Sequence, residues 1–248
     1  MSVAAVRGAV GFLSRIPVGG SERDWDAFRR TPGAFPLVGL LIGGLLAPVF
    51  LLPGPAVTVA TVFVVLVYGL TGITHLDGVA DLGDAAVVHG DQTRRRAVMT
   101  DTEVGTGGVL AVALVVFALG TAAIGVAGLP RSALLLVVTA EVAAKAAMAT
   151  LVCLGTAAYE GIGSSLTGNA APRDTAVVAA LTIPAAALTW PRVLPGAAAL
   201  LAAAGTTTVV FGWARKNLGG VSGDVIGATN ELARVAALHA GVMAWTLS

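Results

Sequence analysis

The sequence predicts an all-α, polytopic integral membrane bundle, and three observations predict it. Hydrophobic residues make up 56% of the chain, charged residues only 12%, and the mean hydropathy is +0.87. That is more apolar than the core of a soluble domain of this size requires. The apolar character comes from Ala, Val, Leu and Gly, with 32 glycines and only 5% aromatics, and such small residues let helices approach closely in a bilayer. Long uncharged runs recur along the chain, and a spanning helix needs about 20 mostly apolar residues.

The elements follow in order. Val3 to Val18 is apolar but broken by Arg7 and Arg15. It lacks the uninterrupted core and cleavage site of a secretory signal, and reads as an amphipathic helix on the membrane surface. The candidate spans are Phe35–Leu52, Ala56–Thr74, Gly107–Ala127, Ala133–Leu154, Thr175–Trp190, Gly196–Trp213 and the short Val235–Leu247. Pro36 suits the first turn of the first of them. The expectation is six or seven transmembrane helices in one integral membrane domain, residues 1–248. The single cysteine, Cys153, lies in an apolar run and is read as packing; it excludes an intrachain disulfide and a cysteine zinc site. A net charge of +1 gives no nucleic-acid footprint.

Seven spans divide the charges unequally. With the N-terminus on side one, that side holds residues 1–34, 75–106, 155–174 and 214–234, and with them twelve of the 15 basic residues and all of the 14 acidic ones except Glu141. Side two holds only Arg131 and Arg192, and Lys145 lies within a span. The positive-inside rule makes side one cytoplasmic, so the polar loops of the active site are expected on the cytoplasmic face of the cell membrane.

Three polar clusters fall on that side. Asp77, Asp81 and Asp84 are spaced i, i+4, i+7 directly after the uncharged run Ala56–Thr74. On a helix they lie within roughly 60° of one another, with His75 pointing elsewhere. Three like charges without a base in the helix repel one another, and carboxylates suit Mg²⁺ or Mn²⁺, which also bind substrate phosphates. A solvated helix end is the plainer alternative, and His75 is as readily an interfacial histidine as a substrate contact. The second cluster runs from Arg94, Arg95 and Arg96 through Asp101 and Glu103 to Gly105, Thr106, Gly107 and Gly108. Arginine binds phosphate bidentately, and a Gly-rich turn opening a helix presents N–H groups to an anion; topology anchoring and tight packing are the alternatives. The third cluster contains Arg215, Lys216, Gly219, Gly220, Ser222, Gly223, Asp224 and Glu231. Asp224 and Glu231, seven apart, share a face if the run is helical. Arg15 could meet a phosphate or a lipid headgroup. Glu141 and Lys145 are i, i+4 within the fourth candidate span, an order that favours a helical ion pair.

At these residues the chain resembles the cobalamin synthase family, the adenosylcobinamide-GDP ribazoletransferases. The carriers are Phe12–Val18, Phe35–Gly39 with Gly43, His75–Asp84, Met99–Gly108 and Leu218–Glu231, in order through most of the chain. Two stretches depart from the family pattern. Thr156–Tyr159 before Glu160-Gly161-Ile162-Gly163 lacks the family's arginines, and Ser222-Gly223-Asp224-Val225 replaces Thr-Gly-Asp-Thr. The resemblance implies a transferase that joins adenosylcobinamide-GDP to α-ribazole (or α-ribazole phosphate) with Mg²⁺, releasing GMP. It implies Asp77, Asp81 and Asp84 as metal ligands and, with Asp224, as catalytic groups. Arg15, His75, Arg96, Asp101, Gly105, Thr106, Lys216, Gly219, Gly220, Ser222 and Glu231 are the candidate substrate and phosphate contacts. The lipid bilayer is the expected surrounding, and a homo-oligomer stays open. The rival readings are a CDP-alcohol phosphotransferase-like lipid enzyme, whose aspartate motif is longer and carries an Ala-Arg pair where Ala80 here precedes Asp81, and a membrane transporter using Glu141 and Lys145.

Overall fold

A computed structural model describes all 248 residues. Twelve α-helices follow one another: α1 (Val3–Leu13), α2 (Glu22–Arg29), α3 (Ala34–Leu46), α4 (Ala56–Thr71), α5 (Thr74–Val87), α6 (Gln92–Met99), α7 (Thr106–Ala127), α8 (Leu135–Leu154), α9 (Ile162–Thr167), α10 (Thr175–Thr182), α11 (Val193–Asn217) and α12 (Gly223–Leu247). No strand forms, and the one β-type contact is a parallel bridge between Ala157 and Val221.

The all-α membrane architecture is as expected, but fewer of the expected spans are single long apolar helices. Four segments are long and apolar enough to cross a membrane: Ala34–Leu51, Thr106–Ala127, Arg131–Leu154 and Val193–Asn217; a fifth is added if α4 and α5, bent by 97°, are taken as one broken span. Two of the expected spans do not form one long apolar helix, for physical reasons. Thr175–Trp190 is interrupted, because α10 ends at Thr182 and Pro184 opens a tighter 3₁₀ turn over Ile183–Thr189. Val235–Leu247 is only the second half of α12, whose first half carries Asp224, Glu231 and Arg234. At 25 residues α12 is about 37 Å long, enough to cross, but its charges keep it out of the apolar class. Glu231 and Arg234, expected in a cytoplasmic loop, are buried inside the bundle instead.

Helix α8 is the axis of the molecule. Every residue from Leu136 to Ala149 is buried, enclosed by α3, α10, α11 and α12. By contrast α7 and α11 expose large apolar side chains, among them Leu114, Phe117, Leu201 and Val209, a distribution suited to lipid rather than water. Glycine sets the closest approach. A Cβ on Gly39 of α3 would stand 2.6 Å from the Glu141 carbonyl oxygen, and one on Gly43 would stand 2.6 Å from the Val138 Cα. The Gly39-xxx-Gly43 spacing is therefore where α3 lies on α8, backbone against backbone.

The amphipathic α1 packs on α2 outside the spans. Arg7 donates to both Asp24 oxygens, from Nε to Oδ2 at 3.0 Å and from Nη2 to Oδ1 at 2.8 Å. Asp24 also accepts from the Ser21 backbone and hydroxyl in a capping box. Phe12, Trp25, Phe28 and Phe35 form the tilted aromatic chain beneath this pair.

Two outcomes follow from this packing. Hydrogen bonds from Arg7 and then Ser21 hold the Asp24 carboxyl down at about 2 from an ordinary 3.8, against the effect of burial. A folded pKa below the unfolded one contributes stability that is complete above the unfolded value and is lost as pH falls through the folded one. The environment of Trp25, read as its fluorescence difference from Trp25→Phe, is expected to hold down to pH 3.8 and change towards pH 2, and the Asp24→Asn variant to show the changed signal at neutral pH. The second outcome concerns α3. Gly39→Ala is expected to destabilise by about 1–3 kcal/mol, because only backbone faces the added methyl. Gly44→Ala, where nothing lies within 4 Å, is expected to be neutral or to stabilise by up to about 1 kcal/mol in the same detergent unfolding assay.

Candidate active site

Gly72, with φ of 75°, ends α4, and the chain turns by 97° into α5. Helix α5 therefore lies across the end of the bundle instead of prolonging the span, packed between α7 and α12. It meets α12 at Gly78, where a Cβ would stand 2.5 Å from the Asp224 carbonyl oxygen and 2.9 Å from its Cα. Only glycine allows this approach, and it brings the first and third polar clusters of the sequence together.

The four aspartates have different surroundings. Asp77 is exposed and is the one charged residue in an apolar groove of about 710 Å³ between α5 and α7, lined by Leu76, Ala80, Val109 and Val112 among others. Asp81 is half-buried and has no hydrogen-bond or ion-pair partner. Burial, and then the charges of Asp224, Asp77 and Asp84, push its carboxyl up to about 7. Asp224 accepts at Oδ2 from the Tyr159 hydroxyl at 3.1 Å and the Ser222 hydroxyl at 3.3 Å. Burial and the neighbouring carboxylates raise the Tyr159 phenol to about 12, so it stays a donor. Asp84 has a different task. Its Oδ2 accepts from the Gly105 N–H at 2.7 Å and its Oδ1 from the Gly108 N–H at 2.8 Å. It caps the start of α7, where Gly105 offers no side chain of its own.

The candidate phosphate contacts separate in the same way. Gly105 and Thr106 open α7, and the Gly105 amide is taken by Asp84. Asp101 is exposed and accepts from the Glu103 backbone. Arg95 donates to the Ala85 carbonyl and so caps α5. Arg96 donates from Nε to the Leu218 carbonyl at 2.6 Å, which leaves it lying against Gly219 at the end of α11. Gly219 needs its positive φ of 74° for that turn, and the exposed Lys216 is tied to α6 through its carbonyl and Gln92. Buried Gly220 lies against the Thr156–Ala158 backbone, where Val221 pairs with Thr156 and Ala158. Ser222 caps α12 by accepting from the Val225 N–H. Arg15 is exposed and runs along Gly72, beside the entry to α5.

Beneath the aspartates lies a buried charge network. Glu141 pairs with Lys145 at 3.5 Å, as its i+4 spacing indicates, but its main partner is Arg234, with Nε to Oε1 at 2.5 Å. Arg234 also meets Glu231 at 2.5 Å. Asn230 joins Lys145, Glu231 and His75, and Tyr68 reaches Glu231 at 3.4 Å. His75 is buried against Gly227 of α12, on a different face of α5 from Asp77, Asp81 and Asp84. Two negative and two positive side chains balance, which is what permits them to be buried. Sequence reasoning missed Tyr68, Tyr159, Asn230 and Arg234. The Glu231–Arg234 spacing of i, i+3 was the one local signal.

The four acids of the surface cluster have no basic partner, yet no three of the His, Cys, Asp and Glu side chains form a ready metal cage. An open cluster of carboxylates without a base is suited to a cation shared with substrate oxygens.

The comparisons with known proteins agree with this geometry. The family model for cobalamin-5-phosphate synthase matches residues 5–242. Three haloarchaeal proteins named adenosylcobinamide-GDP ribazoletransferase are similar to the chain. That of Halorubrum lacusprofundi is 58% identical, covering 99% of both chains. That of Haloquadratum walsbyi is 44% identical over the whole of both, and that of Halobacterium salinarum is 49% identical over 78% of this chain and 97% of its own. No solved structure matches the chain. With a match that runs through every element from α1 to α12, the chain belongs to the cobalamin-5-phosphate synthase family.

Proposed function

We propose that this chain transfers the adenosylcobinamide-phosphate group from adenosylcobinamide-GDP to the 5′-hydroxyl of α-ribazole, giving adenosylcobalamin and GMP. α-Ribazole phosphate is the alternative acceptor. The observation that carries the reading is the crowding of Asp77, Asp81 and Asp224 without a base, in a chain of this family. Unbalanced carboxylates at an open site call for a cation and a phosphate to share it. The names of the haloarchaeal relatives supply the substrates.

Asp224 is the carboxylate acting most strongly on Asp81, and this pair would hold Mg²⁺. When bound, the cation would neutralise charge on the bridging and leaving oxygens of the diphosphate. Tyr159 and Ser222 fix Asp224 through one oxygen and leave Oδ1 without a protein hydrogen bond. The acceptor hydroxyl attacks the phosphorus attached to cobinamide, the bond from that phosphorus to the bridging oxygen breaks, and GMP leaves with the electron pair. The hydroxyl proton passes to Asp77, which faces the open groove. Asp84 serves the reaction only by holding α7 against α5. Arg15 and Lys216, both exposed and without a side-chain partner, are two of the basic side chains free to meet phosphate. The excess of Arg and Lys on the loops of this end, which persists with Arg234 moved to the interior, supports a cytoplasmic N-terminus and active site.

Purified protein in detergent, given adenosylcobinamide-GDP and α-ribazole, is expected to release GMP with Mg²⁺ and not after chelation. Asp77→Asn and Asp81→Asn are each expected to lower the rate by about 10² or more while inserting normally. Asp84→Asn is expected to act through stability, with a lower unfolding temperature. Near-normal turnover in Asp81→Asn would sink the cation site. Release of GMP to diacylglycerol acceptors, or solute uptake by proteoliposomes without GMP, would favour the lipid-enzyme or transporter readings.

A further inference from the structure

The charge network ends at a histidine, and its hydrogen bonds decide where that histidine carries its proton. Asn230, fully buried, is the hub. Lys145 Nζ donates to Asn230 Oδ1 at 2.7 Å. An ammonium has no lone pair, so the Asn230 atom facing it must be the oxygen. Asn230 Nδ2 then donates one hydrogen to Glu231 Oε1 at 2.9 Å. A carboxylate only accepts, which fixes the amide orientation a second time. The remaining hydrogen of Nδ2 points at His75 Nδ1, 3.3 Å away. Were that ring nitrogen protonated, two N–H groups would face each other. The other acceptor in range, Glu231 Oε1, is 3.9 Å from His75 Nδ1, beyond a hydrogen bond.

The ring is therefore held with Nδ1 bare and the proton on Nε2. Gly227 of α12 gives the ring its seat: a Cβ there would stand 3.3 Å from His75 Cδ2. Gly227 is one turn along α12 from Asp224, and His75 is two residues before Asp77. Nε2 has no protein partner, and it is not among the buried unsatisfied atoms. The side chain keeps 9% of its surface open.

We propose that Asn230 is a positioning residue that locks His75 in the tautomer protonated at Nε2, and that this N–H is a fixed, uncharged donor to a diphosphate oxygen of the substrate. The diphosphate rests on the proposed reaction, whereas the tautomer does not. A neutral donor contributes a hydrogen bond without a cation's attraction to the neighbouring aspartates.

Histidine ¹⁵N NMR of the full-length protein in detergent tests the tautomer without substrate. The chain has 3 histidines, and the resonances missing from His75→Gln identify His75. The expected wild-type signature is a bare Nδ1 and a protonated Nε2. Asn230→Asp keeps the acceptor for Lys145 but removes the donor, and is expected to move the proton to Nδ1. A protonated Nδ1 in the wild type, or an unchanged tautomer in Asn230→Asp, overturns the positioning role. Added GDP is expected to shift the Nε2–H resonance; no shift on saturation overturns the phosphate contact.

Turnover supplies the second arm. Glutamine places its amide nitrogen near the Nε2 position, asparagine near Nδ1. His75→Gln is expected to keep kcat/KM within about tenfold of wild type, and His75→Asn to lose about 10²-fold or more. Asparagine equal to or better than glutamine overturns the donor role, since both remove the ring alike. If the wild type releases no GMP, the reaction reading fails, and the NMR of the free protein still decides the tautomer.

Discussion

Arg234 is the charge on which the interior is arranged. It is fully buried and bridges Glu141 on α8 to Glu231 on α12, and Lys145 brings the sum to zero. Removing one member of such a set leaves an uncompensated buried charge, at a cost of about 3–5 kcal/mol. Apolar residues of similar volume often serve stability as well as a buried pair does. The contribution here is geometric: the Glu141–Arg234 pair and the Lys145–Asn230 hydrogen bond define which turn of α12 lies against which turn of α8. Because α12 also carries Asp224 and the seat of His75, the register of two buried helices becomes the register of the surface site.

Around that frame, many residues with the chemistry of phosphate binding close helices instead. Asp84 satisfies the first amides of α7, Arg95 the last carbonyls of α5, and Arg96 the end of α11. Helix ends leave unsatisfied backbone groups, and a site built where several helices end must supply many partners. The carboxylates left without such duties are Asp77, Asp81 and, through Oδ1, Asp224, and these carry the proposed chemistry.

Much of the fold was legible because long uncharged runs such as Gly107–Ala127 can satisfy their backbone only as helices. The acidic stripe was legible from spacing alone. The remainder depends on contacts that no local pattern encodes. Arg234 sits where hydropathy falls, which suggests a loop, yet its partner Glu141 is 93 residues away. Asp84, read as a third ligand, also caps α7, because the amides it accepts from lie 21 and 24 residues later. Tyr159 belonged to a stretch that departs from the family pattern, and its role emerges only when the bridge of Ala157 to Val221 brings it to Asp224. The break at Pro184 was visible as a residue, but not as the end of a span.

Asp224 and Glu231 are seven residues apart on one helix, about 10 Å of rise. A slip of α12 by one turn would part Arg234 from Glu141 and Asn230 from Lys145 at once. The height of the carboxylates above the middle of the bundle is thus set by charge pairing and not by matching of apolar length to the bilayer. Helix α5, seated on α12 at Gly78, takes its height from the same register, so Asp81 and Asp224 keep their places relative to each other. The bend at Gly72 completes this arrangement, because it puts the acids on a helix lying across the end of the bundle and not on a continuation of α4.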